Sequence, residues 1–187
     1  FSAGGHLVMM LGVMDKADGL EGSGGHADQS SKVNAVVAFF GPTELGADDI
    51  PARSVGLVND FLDSTEEDNP AVRKTASPIT YVDKSDAPLL IFQGTNDGST
   101  EWLQGVEFYN ALRFHKKPVI FLSYEGEGHG FTRYDNQYDV QVRMKQFYDH
   151  HLKGAPAADW IANGIPSIKK KTPTGAAAQP VQLIGPG

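Results

Sequence analysis

Three short stretches of this chain hold residues that could do chemistry together. Phe1-Ser2-Ala3-Gly4-Gly5-His6 opens it, Gly94-Thr95-Asn96-Asp97 stands near the middle, and Gly126-Glu127-Gly128-His129-Gly130 comes after both. A serine, an acid and a histidine therefore occur in that order. A serine hydroxyl attacks only when a neighbouring base takes its proton, and a tight turn before a helix leaves it open to a base arriving from another loop. His129, between two glycines, belongs on an exposed turn rather than in a core. There it could act as base toward Ser2 and as acid toward a leaving group. Asp97 would fix the tautomer of that histidine and stabilise its cationic form. Gly4 and Gly5 keep bulk away from the serine, and the Ala3 backbone N–H, at a helix start, can donate to an oxyanion.

Each residue also has a plainer reading. Asp97 could cap a helix beginning near Thr100. Asp83 and Asp86 read as surface loop carboxylates, with Asp86 the rival acid. His6 reads as packing or hydrogen-bonding near its helix start. Asp149-His150-His151 invites a metal, but adjacent histidines leave a helix on different sides and no i, i+4 partner exists. Trp102 reads as core, Trp160 as an anchor for the C-terminal tail, and Lys169-Lys170-Lys171 as a solvated charge run.

These residues need elements to hold them. Leu7, Met10, Leu11 and Met14 recur at helical spacing, which predicts a helix over residues 4–18 immediately after Ser2. Residues 19–32 are Gly, Ser and Asp rich and read as a loop. The apolar run at 33–40, stopped by Gly41-Pro42, reads as a strand buried on both faces of a parallel sheet. Residues 43–87 are mixed, with short helices expected near 58–62 and 70–76, an insertion of the kind that covers a pocket. Residues 88–93 and 119–124 read as two further buried strands. A helix presenting Trp102, Val106, Tyr109 and Leu112 on one face lies between them. Beyond the histidine turn comes a long helix burying Val140, Met144, Phe147, Tyr148 and Leu152, stopped by Gly154 and Pro156. Alternating strand and helix is the grammar of a parallel α/β sheet. The division expected is a domain over 1–160 and an extended or disordered tail over 161–187, where Pro, Gly, Ala and Lys dominate.

Composition narrows the function classes. A length of 187 residues suffices for one domain with a sizeable core. A net charge of −7 disfavours nucleic acid or an anionic membrane surface as partner. With no cysteine, disulfides, thiolate metal sites and cysteine nucleophiles are excluded, and cysteine usage says nothing of the compartment. No apolar run approaches the roughly 20 residues that span a bilayer.

Taken together, FSAGGHL, SPITYV before APLLIFQGTND, and YEGEGHGF before a long helix ending HHLKG resemble the α/β-hydrolase superfamily, in its esterase and prolyl-oligopeptidase-like branches. The resemblance covers residues 1–160. It implies a partial α/β-hydrolase, the C-terminal strands of a mostly parallel sheet with flanking helices. The nucleophile motif G-x-S-x-G requires a glycine ahead of Phe1, so the resemblance begins at the nucleophile turn itself. It matches Ser2 to the nucleophile, Asp97 to the acid and His129 to the base, with Ala3 and Gly4 at the nucleophile elbow. It implies no cofactor and no metal. Gln93-Gly94 stands where the family usually has His-Gly. The early part is more similar to carbohydrate-ester and small-ester hydrolases related to feruloyl esterases, the late part to prolyl-oligopeptidase-type peptidases. The expected activity is hydrolysis of carboxylic esters through an acyl-enzyme on Ser2, on a small-molecule ester. The alternatives are a peptidase acting on short peptides, or an inactive fragment that self-associates through strand 33–40 or complements an N-terminal part.

Overall fold

A computed structural model describes residues 1–26, 28–65, 67–165 and 181–182. Its centre is a sheet of β1 (Val36–Phe39), β2 (Leu89–Gly94) and β3 (Val119–Tyr124), all parallel. A two-residue β4 (Val181–Gln182) lies antiparallel on β3, so the order is β1-β2-β3-β4. The helices are α1 (Ala3–Val13), α2 (Ala52–Leu62), α3 (Pro70–Thr75), α4 (Trp102–Phe114), α5 (Tyr134–Lys153) and α6 (Asp159–Ala162). The α/β reading holds.

Strand alternation divides the core in two. Val36, Ala38, Leu89, Ile91, Val119 and Phe121 face α1 and α4, where Met9, Val13, Phe108 and Leu112 meet them. Leu90, Phe92, Ile120, Leu122 and Tyr124 face α5, through Val140 and Phe147. With both faces covered, β2 and β3 are buried along their whole length, which is why they read as continuous apolar runs rather than alternating ones. Close backbone approach ties α1 to the sheet: a Cβ on Gly5 would lie 2.5 Å from the carbonyl oxygen of Phe39.

Several expectations need correction. The first helix ends at Val13, and only a 3₁₀ turn at Lys16–Asp18 continues it. The stripe Leu7, Met10, Leu11, Met14 is not its buried face. Leu7 and Leu11 are exposed, while Gly5, Met9, Gly12 and Val13 are buried. The helix is apolar nearly all round, so periodicity could not choose a face. Leu152, expected in the core, is exposed near the end of α5. Asp86 is buried rather than on the surface. The first insertion helix is longer than expected, running back to Ala52. The expected domain boundary at 160/161 falls inside α6. Of the expected tail, residues 161–165 and 181–182 are described; Lys169-Lys170-Lys171 lies outside the described residues. Among the described residues, no helix is long and apolar enough to cross a membrane.

Candidate active site

The C-terminal ends of β1, β2 and β3 open toward the same side of the sheet as the N-terminus of α1, and the three sequence motifs meet there. Ser2 precedes α1 with φ 54° and ψ −123°, a left-handed conformation unusual for a residue with a side chain. Two bonds hold it there. Its N–H donates to the Phe39 carbonyl (2.8 Å), and its own carbonyl accepts from His6 N–H (3.0 Å) as the first bond of α1. Strain fixed in this way is what a serine needs to project from a strand-edge turn toward a facing loop.

His129 meets it. Ser2 Oγ lies 2.9 Å from His129 Nε2, and His129 Nδ1 lies 2.9 and 3.0 Å from the two Asp97 carboxylate oxygens. A Nδ1–H donating to the carboxylate leaves the Nε2 lone pair to accept the Ser2 hydroxyl. The Asp97 side chain is fully enclosed while that of His129 keeps 21 % exposure, so only the imidazole and serine can be reached from outside. The Phe1 and Phe40 rings flank the imidazole, their centroids 5.4 and 5.6 Å from it.

Asp97 also accepts from Ser99 N–H (2.8 Å) and Thr100 N–H (3.1 Å), so the capping role and the histidine contact coexist on one carboxylate. Two further residues hold the site, and sequence reasoning did not single them out for that. Gln93 donates from Nε2 to Asp97 Oδ2 (3.0 Å) and to the Thr100 carbonyl (3.1 Å). Its one signal was an amide ending an otherwise apolar strand. Glu127 accepts four hydrogen bonds, from Thr132 N–H and Oγ1, Arg133 N–H and Asn136 Nδ2, which brace the turn carrying His129. Burial pushes the Glu127 carboxyl upward, but these bonds outweigh it and hold the group below its usual range. Its signal was an acid placed in a glycine-rich turn directly after a buried strand.

At the elbow, Gly4 N–H is engaged by the Phe1 carbonyl (2.9 Å), whereas Ala3 opens α1 and has no carbonyl one turn back to donate to. A Cβ on Gly4 would meet nothing, so the absence of bulk matters at Gly5 rather than at Gly4. Asp86, the rival acid, stands before β2, at the opposite end of that strand from Asp97, and does not meet the histidine. The Asp149-His150-His151 cluster is occupied by structure. Asp149 pairs with Lys145 and Lys153, His150 contacts the Ala155 carbonyl (2.8 Å), and His151 packs on Phe147. Among the described residues no group of three or more potential ligands could hold a metal. Trp102 donates to Ser123 Oγ (2.7 Å), and Trp160 to Gln146 Oε1 (2.6 Å) beneath the Arg143 guanidinium.

A cavity of about 430 Å³ adjoins Ser2 and His129. Its walls are largely apolar, with Leu7 from α1, Leu45 and Ile50 from the loop after β1, and Leu57, Val58 and Phe61 from α2. No residue of α2 is buried, so this helix is held mainly at its margins. Arg53 bonds the Gly98 carbonyl, Ser54 Oγ the Ser99 carbonyl (2.7 Å), and the buried Arg73 joins Asn59 to the Leu45 carbonyl.

The BD-FAE family model matches residues 1–112, more than half of the chain. The chain belongs to the BD-FAE family. This BD-FAE chain is 31% identical over 145 residues to Esterase LipC of Mycobacterium tuberculosis, covering 72% of the chain and 34% of that protein. It is 28% identical over 150 residues to Dipeptidyl peptidase family member 6 of Caenorhabditis elegans, covering 75% and 20%. Among solved structures it resembles a truncated form of a carbohydrate esterase from gut microbiota, with TM-score 0.62 and 28% identity over 76% of this chain and 57% of that one. The propionate-bound Est2 esterase of Thermogutta terrifontis shares the fold, with TM-score 0.63 and 23% identity over 84% and 56%. The BD-FAE chain thus spans about a third or less of these two curated relatives, and a little over half of these two structures.

Proposed function

We propose that this chain carries the nucleophile, acid and base of a serine hydrolase that cleaves carboxylic esters. The observation carrying the reading is the hydrogen-bonded path from Ser2 through His129 to the enclosed Asp97. In it, Nε2 of His129 takes the Ser2 proton as Oγ attacks the ester carbonyl. Asp97 steadies the resulting imidazolium, and the Ala3 N–H faces the developing oxyanion. Collapse releases the alcohol, which leaves with the proton held on His129. Water activated by the same nitrogen then frees the acid from Ser2. Family membership, the likeness to esterase folds and a cavity with apolar walls support esters over peptides. By the same chemistry we propose a small aryl or acyl ester, carried on a carbohydrate or a small alcohol, as substrate.

A fluorophosphonate probe tests the reading, since it reacts with activated serines and hardly with ordinary ones. Expected are an adduct on Ser2, its loss in Ser2→Ala and His129→Ala, and turnover of an ester panel above a proline-peptide panel. An unlabelled wild-type chain would overturn the triad. Faster cleavage of peptides would move the reading to the peptidase branch. Self-association through the run at 33–40, of which Val36–Phe39 forms β1, is a separate proposal, supported by the place of β1 at one margin of the sheet. Light scattering that gives the monomer mass at all concentrations would remove it.

A further inference from the structure

His6 lies four residues beyond Ser2, one turn along the same helix, and like Ser2 it lines the cavity. It is 5 % exposed. Its Nε2 lies 2.7 Å from the Ala76 carbonyl, which can only accept, so Nε2 carries the proton. Burial holds the ring below the usual histidine range, against the pull of that carbonyl, and keeps it neutral. In a neutral ring protonated at Nε2, Nδ1 is a lone-pair acceptor. Nδ1 makes no hydrogen bond within the described residues. The enclosed side-chain polar atoms there that lack a partner are Arg73 Nε, Asp86 Oδ1 and Arg143 Nη1, and His6 Nδ1 is not one of them. It is therefore not fully enclosed, and His6 is a lining residue of the cavity. The Phe61 ring stands edge-on to the imidazole, with centroids 5.9 Å apart. An acceptor without a proton, beside Phe61 in a cavity also lined by Leu7, Leu57 and Val58, stands out in a largely apolar lining.

We propose that His6 is a specificity-determining residue, its Nδ1 accepting a hydrogen bond from a hydroxyl on the group that the ester places in the cavity. The inference rests on the ester-hydrolase reading for its kinetic consequence but not for its geometry. Ser2 and His6 stand one helical turn apart, about 6 Å between their Cα atoms. With both residues lining one cavity, a hydroxyl carried about one aromatic ring from the ester carbonyl is the span the test uses. A hydroxyl suits this nitrogen and a carboxylate does not, because the site offers a lone pair and no proton. A site built to bind a hydroxyl rejects the analogue lacking it more sharply than an apolar wall rejects an added hydroxyl.

The test compares methyl 4-hydroxyphenylacetate with methyl phenylacetate on wild type, His6→Leu and His6→Gln. Each compound's intrinsic reactivity cancels in the ratio of their kcat/KM values between variants. Leucine fills the space without an acceptor, whereas glutamine can donate to Ala76 and still present its carbonyl oxygen. The hydroxyl preference should fall roughly 3- to 10-fold in His6→Leu, the size of one neutral hydrogen bond, and return in His6→Gln. Equal losses on both esters would reduce His6 to a structural residue and overturn the proposal. An independent readout is the ¹⁵N shift of His6 Nδ1 in the intact chain on adding 4-ethylphenol or ethylbenzene. The phenol alone should move it. A shift that neither compound changes overturns the proposal even if the ester is turned over, and a phenol-specific shift in a chain without turnover upholds it while the ester reading fails.

Discussion

Glu127 offers the sharpest test of how this fold holds its histidine, through Glu127→Gln. In the native chain Oε2 accepts from Thr132 N–H (2.8 Å) and Oγ1 (3.0 Å), and Oε1 from Arg133 N–H (3.1 Å) and Asn136 Nδ2 (2.6 Å). The carboxylate is 1 % exposed, so water does not replace a lost bond. An amide must point its NH₂ at one of the two pairs. Toward Thr132 the hydroxyl can rotate to accept, and toward Asn136 the side-chain amide can turn. In either case one backbone N–H loses its acceptor. An unsatisfied buried donor costs about 1–3 kcal/mol, and the bonds that remain lose the assistance of a charge. The expected loss is about 2–4 kcal/mol at pH 7, to be measured by urea unfolding. The pH dependence has a definite sign. The folded-state carboxyl lies below its unfolded value, so its contribution is complete above the unfolded value, near 4.3, and disappears as pH falls through the folded one. The gap between wild type and variant should narrow below about pH 4. A gap under about 0.5 kcal/mol at pH 7, or one unchanged down to pH 3, would refute the bracing argument.

Three further outcomes are expected. Asp97→Asn should lower kcat on a soluble ester by about 10⁴-fold, because an amide nitrogen facing Nδ1 favours the tautomer that cannot take the serine proton; a loss below tenfold would count against Asp97 as the orienting acid. Gly94→Ala places a Cβ 2.3 Å from the Glu127 carbonyl oxygen and 2.5 Å from that of Gly128, both backbone atoms of the histidine turn. It should destabilise the chain by about 1–3 kcal/mol and lower kcat/KM by roughly 100-fold through a displacement of about 1 Å; an unchanged urea midpoint would contradict the contact. Burial raises the Asp86 carboxyl to about 7, with the Asp83 N–H and Lys117 opposing and the Asp83 carboxylate adding to it, and among the described residues its Oδ1 has no hydrogen-bond partner. Because the folded value lies above the unfolded one, ionised Asp86 costs stability progressively from about pH 4 upward, and fully above pH 7. Asp86→Asn should therefore raise the unfolding midpoint more at pH 8 than at pH 4, and an equal shift at both would refute the assignment.

The chain's local chemistry determined its elements well wherever two faces are buried. The runs at 88–93 and 119–124 could only be interior strands, and the long helix stops at Gly154, which takes the left-handed conformation that ends it. Motif order, read with a family resemblance, also brought Ser2, Asp97 and His129 forward. What the one-dimensional pattern could not carry was orientation. An apolar helix such as α1 has no preferred face until Gly5 and Gly12 let it settle on the sheet, which left Leu7 to the cavity rather than to the core. Nor could it assign buried polar groups. Asp86, Gln93 and Glu127 look alike as polar residues in the chain, and only the neighbours brought by folding separate them. One is an acid whose Oδ1 has no hydrogen-bond partner among the described residues, one donates to Asp97, and one holds four donors. Hydrogen bonds between residues distant in sequence form when the strands align their ends. The contact of His129 with Ser2, 127 residues apart, and that of His6 with Ala76 are therefore decisions of the tertiary structure alone.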